Sequence, residues 1–399
     1  MMSFGRHRLA DWPLDPAIVY LNHGTVGVAP RRVLAAQQAI RDEIERQPSR
    51  ALLREVSRFV GSPVSGPSRL RAAAADVAAF VGARGEDFVF VDNATTGVNA
   101  VLRSFRLAPG DEVLITDHNY GATARVAAFA ARERQAQLIV VRVPYPAFDR
   151  SALVAAVAAA ITPRTRIAVL DHITSESALI FPLTELAAVC RERDVRVLVD
   201  GAHAPGVLPL DIPSLGVDWY TANLHKWACA PRSCGFLWAH PARQADLHPP
   251  VISWNLDLGF TAEFDWVGTR DPSPWLAAPE GLAFLRGLGW EDVRRYNHDM
   301  VWRAAQTLAS RWDTPLAIDQ ASVGFMATVP LPAALGGTAA DAARLRDALL
   351  FEDRIEIQVH AGHGRLWARV SIQVYNDWTD IERLAAAVAG RAAASAGRR

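Results

Sequence analysis

Between Asp87 and about Ala239, short runs of β-branched and other apolar residues alternate with Ala-rich stretches of helical period. That alternation predicts βαβ units, a mainly parallel sheet carrying helices on both faces. The runs are FVFVD (88–92), EVLITD (112–117), QLIVVRV (137–143), RIAVLDHI (166–173), VRVLVDGA (195–202), DWYTAN (218–223) and GFLWA (235–239). Most are apolar along their length, as strands covered on both faces are. Most are separated by enough chain for a crossover helix, but 224–234 is too short for one. The seventh strand is therefore expected to be antiparallel or to arrive by a tight return.

After residue 240 the pattern changes. A Pro/Trp-rich region (HPPVISWNLDLGF, then VGTRDPSPW) leads into helical sequence at 277–312. One more helix is expected over 339–350. IEIQV and RLWARVSIQVY then alternate apolar and polar residues around HAGHG, which predicts an antiparallel hairpin with one wet face. On this hairpin Arg369 falls on the polar face with Trp367 and Ser371, and His360 and His363 flank the turn as solvated side chains. Asp377 or Thr379 is placed to cap a last helix, and the tail from 391 is expected to fray. The organisation read from the pattern is an N-terminal segment 1–30, a large α/β domain 31–265, a small α+β domain 266–390 and a frayed tail 391–399. No internal repeat is visible.

The chain has 399 residues, half of hydrophobic type, with 42 Lys+Arg against 42 Asp+Glu. This is the balance of a globular protein with two or three folding units, and it supplies no net field for nucleic acid or anionic lipid. The start MMSFGRHRLADWP lacks a signal-peptide apolar stretch, no run is long and apolar enough to span a bilayer, and Cys190, Cys229 and Cys234 have no disulfide or zinc spacing. A cytoplasmic protein without a metal site is expected.

One count changes the picture: of the 42 basic residues a single one is lysine, Lys226. Arginine can replace lysine on a surface, but it cannot act as an amine nucleophile. Lys226 lies in TANLHKWACAP, just past an apolar strand end, at the rim where open α/β sheets bind ligands. Asp200 ends another buried strand in VRVLVDGAHAPG. The strand-to-helix turn VDNATTGVNAVL offers Thr95, Thr96, Gly97 and free amides to an anion. An amine, a buried acid and a phosphate cradle on three strand ends are the three anchors of pyridoxal phosphate.

At these residues the chain resembles the fold-type I pyridoxal-phosphate enzymes, in particular the class V aminotransferase family in its isopenicillin N epimerase-like branch. The blocks that carry the resemblance are YLNHGTVGVAP, DNATTGVNAVL, TDHNYGA, DHITSESALIFPL, DGAHAPG, NLHKWACAPRSCGFLW and GTRDPSPWLA, and it extends over roughly 18 to 380. It implies a Schiff-base role for Lys226, a pyridine-nitrogen contact for Asp200 and a phenolate-oxygen contact for His203. Tyr120 stacks on the ring in this reading, and Ser175 lies beside the cofactor with the acid Glu176 next to it. Thr95, Thr96 and His225 hold the phosphate. Asn223 stands where many members carry a Ser or Thr phosphate ligand, and Thr269 of a partner subunit completes the site in a homodimer. Arg369 matches the family's α-carboxylate clamp, and Asn22 and His23 belong to the segment that closes over the substrate.

The implied activity is formation of a Cα carbanion from an amino acid, with Lys226 as proton shuttle. Epimerisation, C–S β-elimination and transamination share that carbanion. Desulfuration fits least, since Cys229 and Cys234 flank the lysine segment instead of sitting on a mobile loop. A non-catalytic sensor that keeps the fold is the competing class. A nucleotide-dependent oxidoreductase is disfavoured because no strand is followed by G-x-G-x-x-G.

Overall fold

The structure is a computed structural model and describes residues 3–58 and 65–397. Its strands are β1 (Val19–Tyr20), β2 (Phe88–Val91), β3 (Glu112–Thr116), β4 (Gln137–Val141), β5 (Thr165–Asp171), β6 (Arg196–Asp200), β7 (Trp219–Asn223), β8 (Gly235–Ala239), β9 (Met326–Pro330), β10 (Ile355–Glu356), β11 (Gln358–Gly362) and β12 (Arg365–Ser371). The seven runs read from the sequence are β2 to β8, and they form one sheet in the order β2-β8-β7-β6-β5-β3-β4. Every pair is parallel except the two made by β8, which runs antiparallel to β2 and β7. The short 224–234 connection thus makes a tight return.

Alternation along each strand feeds two cores. On β5, Ile167 and Val169 join the cluster on one face, while Ala168 and Leu170 join the cluster on the other. Helices Ala94–Ser104, Gly121–Glu133, Arg150–Ala160 and Leu183–Arg191 follow β2, β3, β4 and β5 and cover the faces. The first of these packs close: a Cβ on Gly97 would lie 2.0 Å from Thr221 Oγ1 of β7, so only glycine lets the helix start sit against the sheet.

The small domain is the antiparallel sheet β11-β12-β9 packed against helices Trp290–Arg311 and Trp378–Ala396. Three expectations change here. The core does not switch at 265/266, because Trp275, Leu282, Phe284 and Leu288 pack with the large domain, and the change falls inside the Trp290–Arg311 helix. The hairpin has no wet face: Leu366, Ala368 and Val370 enter the small core, while Trp367, Arg369 and Ser371 are also buried, turned toward the large domain. The last helix, capped by Asp377, continues to Ala396 past the expected fraying point, and Arg391 binds Asp353 and Glu352; residues 398–399 of the expected tail lie outside the described residues.

The N-terminal segment is also tied down, apart from residues 1–2, which lie outside the described residues. β1 pairs in parallel with β10, and the Ser371 amide donates to the Leu21 carbonyl. Among the described residues no helix is long and apolar enough to cross a membrane.

Candidate active site

The strand order sets the site. Asp171 and Asp200 end β5 and β6 in register with each other, Asn223 ends β7, and Asn93 to Thr96 follow β2. These ends share one rim of the sheet, and the β7–β8 return brings Lys226 over it. Together they surround a cavity of about 680 Å³, lined by Thr95, Thr96, Tyr120, Ser175, Asp200, His203, Asn223, His225 and Lys226. Of the residues expected around a cofactor only Thr269 is elsewhere: it is exposed, on a bend after the Phe260–Asp265 helix.

Lys226 is held from behind. The His23 ring is fully buried, its Nε2 donating to the Lys226 carbonyl (3.0 Å) and its Nδ1 accepting from the Tyr375 hydroxyl (2.9 Å). The ring also lies 4.8 Å from the Trp227 ring. Burial pushes the His23 pKa down to about 4, so the ring is a neutral brace. Gly27, at φ 64°, lets the same segment pass under the lysine, where a Cβ would lie 1.8 Å from the His225 carbonyl oxygen. The substrate contact that the resemblance implies for His23 is not what the structure shows: both ring nitrogens are engaged and it lines neither cavity. Asn22 does not line a cavity either; its Nδ2 donates to Glu356 (2.7 Å) and its Oδ1 accepts from Thr25.

In front, Lys226 Nζ lies 3.1 Å from His203 Nε2. Burial and the nearby Arg369 charge lower the Lys226 pKa to about 7, against the pull of Asp200. Burial, then the Lys226 charge, holds the His203 ring well below its usual range. Asp200 accepts from Thr123 Oγ1 (2.7 Å) and from the Ala202 amide (3.1 Å), yet burial still raises its pKa. Asp171 is raised further, by burial and by the charge of Asp200.

The helix start differs from the free cradle expected of it. Its Ala94 amide donates to Asn223 Oδ1 (2.8 Å) and its Thr96 amide to the capping Asn93 Oδ1 (3.0 Å). Thr95, Thr96 and Asn99 of this helix line the cavity. His225 donates from Nδ1 to the Cys234 carbonyl (3.0 Å), which leaves Nε2 for the cavity. Burial and the Lys226 charge lower its pKa to about 4.

A second cavity of about 620 Å³ adjoins the first, and the two share Thr25, Tyr120, Ser175 and Lys226. Arg369 lines this second cavity. It is 3% exposed and is fixed by the Ser175 carbonyl (2.7 Å) and Thr25 Oγ1 (2.6 Å), with its Nε left without a partner. A solvated strand arginine is thus ruled out. His360 is half-buried in the wall of the same cavity, its pKa lowered to about 4 by burial and by Arg369, so the solvated reading of this residue is also corrected.

Several site residues escaped sequence reasoning. Asp171 carried the same strand-end signal as Asp200. Thr123 sits three residues after Tyr120, one helical turn along. Thr25 lies inside the NHGTVG block, but nothing in its neighbourhood points to Arg369.

A protein-family model described as aminotransferase class-V matches residues 30–384. Isopenicillin N epimerase of Streptomyces clavuligerus is 33% identical, over 95% of this chain and 98% of its own. A probable chloroplastic L-cysteine desulfhydrase of Arabidopsis thaliana is 33% identical, over 94% of this chain and 83% of its own. Among solved structures, the cystine C–S lyase C-DES in complex with cysteine persulfide superposes with a TM-score of 0.77 at 24% identity, covering 96% of this chain and 99% of that one, a likeness of fold. The chain belongs to the class-V aminotransferase family, whose cofactor is pyridoxal 5′-phosphate.

Proposed function

We propose that the protein is a C–S lyase that removes the Cα proton of an S-substituted α-amino acid and expels sulfur from Cβ. The observation that carries this reading is the one-sided proton machinery. Lys226 is the chain's only lysine and its amine is buried in the site; of the two candidates for the opposite side, His23 has both ring nitrogens engaged, and Tyr120, which lines both cavities, is committed in this reading to covering the ring. Epimerisation needs a proton delivered to the second face, whereas elimination needs none. The desulfhydrase name of a relative points the same way.

The first cavity fits pyridoxal phosphate by its own features. It brings together an amine, a buried carboxylate and a hydroxyl-lined helix start, and His203 Nδ1 and Asp171 Oδ2 are buried there without partners. When bound, the cofactor supplies a conjugated ring that takes up the electron pair left at Cα. In this reading Lys226 carries the cofactor and, once released, moves the Cα proton. Its lowered pKa keeps much of the amine unprotonated near neutrality. Asp200, oriented by Thr123, holds the proton on the pyridine nitrogen. His203 and Ser175 would contact the cofactor's ring substituents, and Tyr120 would cover the ring.

Thr95, Thr96, Asn223 and His225 hold the phosphate. The His225 Nδ1–H is committed to a carbonyl, so its Nε2 donates only when the phosphate charge draws a second proton onto the ring. Arg369 takes the substrate carboxylate. The balanced reaction is S-substituted cysteine plus water to thiol, pyruvate and ammonia. All three cysteines are free and buried and none lines either cavity, so no thiol is placed for desulfuration. Free thiols also accord with a cytoplasmic setting.

The reading includes a homodimer. Val251, Ile252 and Leu258 are 58%, 53% and 68% exposed, and Val251 lies at the edge of the cofactor cavity. Such a strip beside a site calls for cover, and a second copy would bring Thr269 of the partner subunit toward the phosphate.

Attachment of added pyridoxal phosphate to the cofactor-free protein, trapped on Lys226 with borohydride, should follow the free amine. With a pKa of about 7 the rate rises roughly fivefold between pH 6 and pH 7 and levels off above pH 8. A rate still climbing steeply at pH 9, or label retained by Lys226→Ala, would contradict the site. Incubation of the holoenzyme with S-substituted cysteines in D₂O should release thiol, pyruvate and ammonia in equal amounts; deuterated substrate of both configurations would instead make it an epimerase. Arg369→Ala should raise KM at least ~30-fold, as for loss of a buried charge pair, without altering the visible spectrum; an unchanged KM would remove Arg369 from the clamp. Mixing inactive Lys226→Ala with inactive Thr269→Ala should restore some activity through hybrid dimers, and a fully active monomer would exclude the shared site.

A further inference from the structure

The second cavity is larger than the proposed chemistry requires. The first cavity accounts for the cofactor, and the two meet only at Lys226, Tyr120, Ser175 and Thr25, so the further 620 Å³ or so is left to the substrate. That volume is in the range of sites that enclose drug-sized ligands. Cysteine ends at a sulfur two bonds from Cα and fills a small part of it.

The sheet gives the cavity a direction. Arg369 of β12 pairs with Gln358 of β11, and Trp367 pairs with His360. All four line the cavity, as residues two apart on one face do. The Trp367/His360 pair is therefore one pleat, ~7 Å, along the floor from the carboxylate clamp. Above this far pair sits Tyr145, whose ring centroid is 5.2 Å from that of Trp367 and 5.1 Å from that of His118. The Tyr145 hydroxyl has no hydrogen-bond partner among the described residues, and His360 Nδ1 is buried without one.

The far wall is aromatic and uncharged. Burial lowers the pKa of both His118 and His360; the Asp117 charge works against it at His118, while the Arg369 charge adds to it at His360, to about 4, so both shifts favour the neutral imidazole. The charges of this cavity other than Arg369 and Lys226 belong to Asp117, Glu176 and Arg125, which are exposed at its rim. A charged distal group would find no counter-ion at the inner end, whereas a planar neutral one finds rings and hydrogen-bonding nitrogens.

We propose that this cavity selects α-amino acids carrying an uncharged aromatic or heteroaromatic group beyond the Cβ substituent, packed among Tyr145, His118 and His360, in preference to cysteine itself. The assignment rests on reading the first cavity as the cofactor's and Arg369 as the carboxylate clamp. It turns a general lyase into one for bulky conjugates.

The test uses the holoenzyme with L-cysteine, S-benzyl-L-cysteine, S-carboxymethyl-L-cysteine and S-aminoethyl-L-cysteine. Binding is followed by the change in visible absorbance and turnover by pyruvate. The S-benzyl compound should bind most tightly and exceed cysteine in kcat/KM by about tenfold or more. Tyr145→Ala should lower that ratio by about the same factor, while Tyr145→Phe, which keeps the ring and guards against misfolding, should hold it. Preference for cysteine or for either charged analogue overturns the proposal, and pyruvate formed from those compounds would leave the lyase reading standing. Preferential binding of the S-benzyl compound with no pyruvate from any of the four sinks the lyase reading and supports the selectivity. No spectral response to any of them overturns both.

Discussion

The constraint on which this site depends is the burial of one lysine. An amine taken out of water favours its neutral form and needs a rigid surround, because a flexible lysine would swing back to solvent. Here the surround comes from far along the chain. His23, from the N-terminal segment, holds the Lys226 carbonyl; Tyr375, beyond β12, holds His23; and Trp227 packs against the His23 ring. The tight β7–β8 return that makes β8 antiparallel also carries the lysine over the rim of the parallel strands. Sheet topology, N-terminal tie and small-domain docking therefore converge on the backbone of a single residue.

The electrostatics of the site follow from the same burial. Asp171 and Asp200 stand side by side on adjacent strand ends, where two like charges in a dry place cannot both ionise easily. Asp200 has the Thr123 hydroxyl and the Ala202 amide to favour its charged form; Asp171 keeps a buried oxygen without a partner and is pushed up further. The pair is thereby divided into one acid that gains from a cation placed before it and one held more strongly toward its neutral form. In the proposed function a protonated ring nitrogen would be such a cation, and Asp200 the carboxylate that meets it.

How much of this was legible in the sequence depends on the range of the contact. The strands were legible because a run buried on both faces must be apolar throughout, Lys226 because it is the chain's only lysine, and Asp200 because it is a charged residue at the end of such a run. The role of Arg369 was legible only through the family motif, since alternation by itself put it on a solvated face. What alternation could not register is that the polar face of the hairpin meets the large domain, so that Trp367, Arg369 and Ser371 floor a cavity. His23 was hidden for the same reason: its partners, Lys226 and Tyr375, are 203 and 352 residues away. The core boundary was misplaced because Trp275 to Leu288 carry a helical period that suits either domain, and only packing against the Arg69–Phe80 and Arg31–Arg46 helices decides which.

The unpaired groups connect stability with function. His203 Nδ1 and Asp171 Oδ2 in the first cavity and Arg369 Nε at the second are buried without partners, and each such group costs about 1–3 kcal/mol relative to a satisfied one. A fold with no use for them would replace them by apolar residues of similar size, which is often neutral or stabilising. These three are an acid and an imidazole at the first cavity and a guanidinium at the second, with Lys226 on the wall the cavities share, whereas other unpartnered buried groups, Asp265 Oδ1 and Asn297 Oδ1 among them, lie away from both. A ligand that satisfies them binds the folded chain and not the unfolded one, so its binding free energy adds to folding stability. In the proposed function, the polar groups that make the empty site unfavourable are the ones that would make cofactor and substrate carboxylate part of the folded structure.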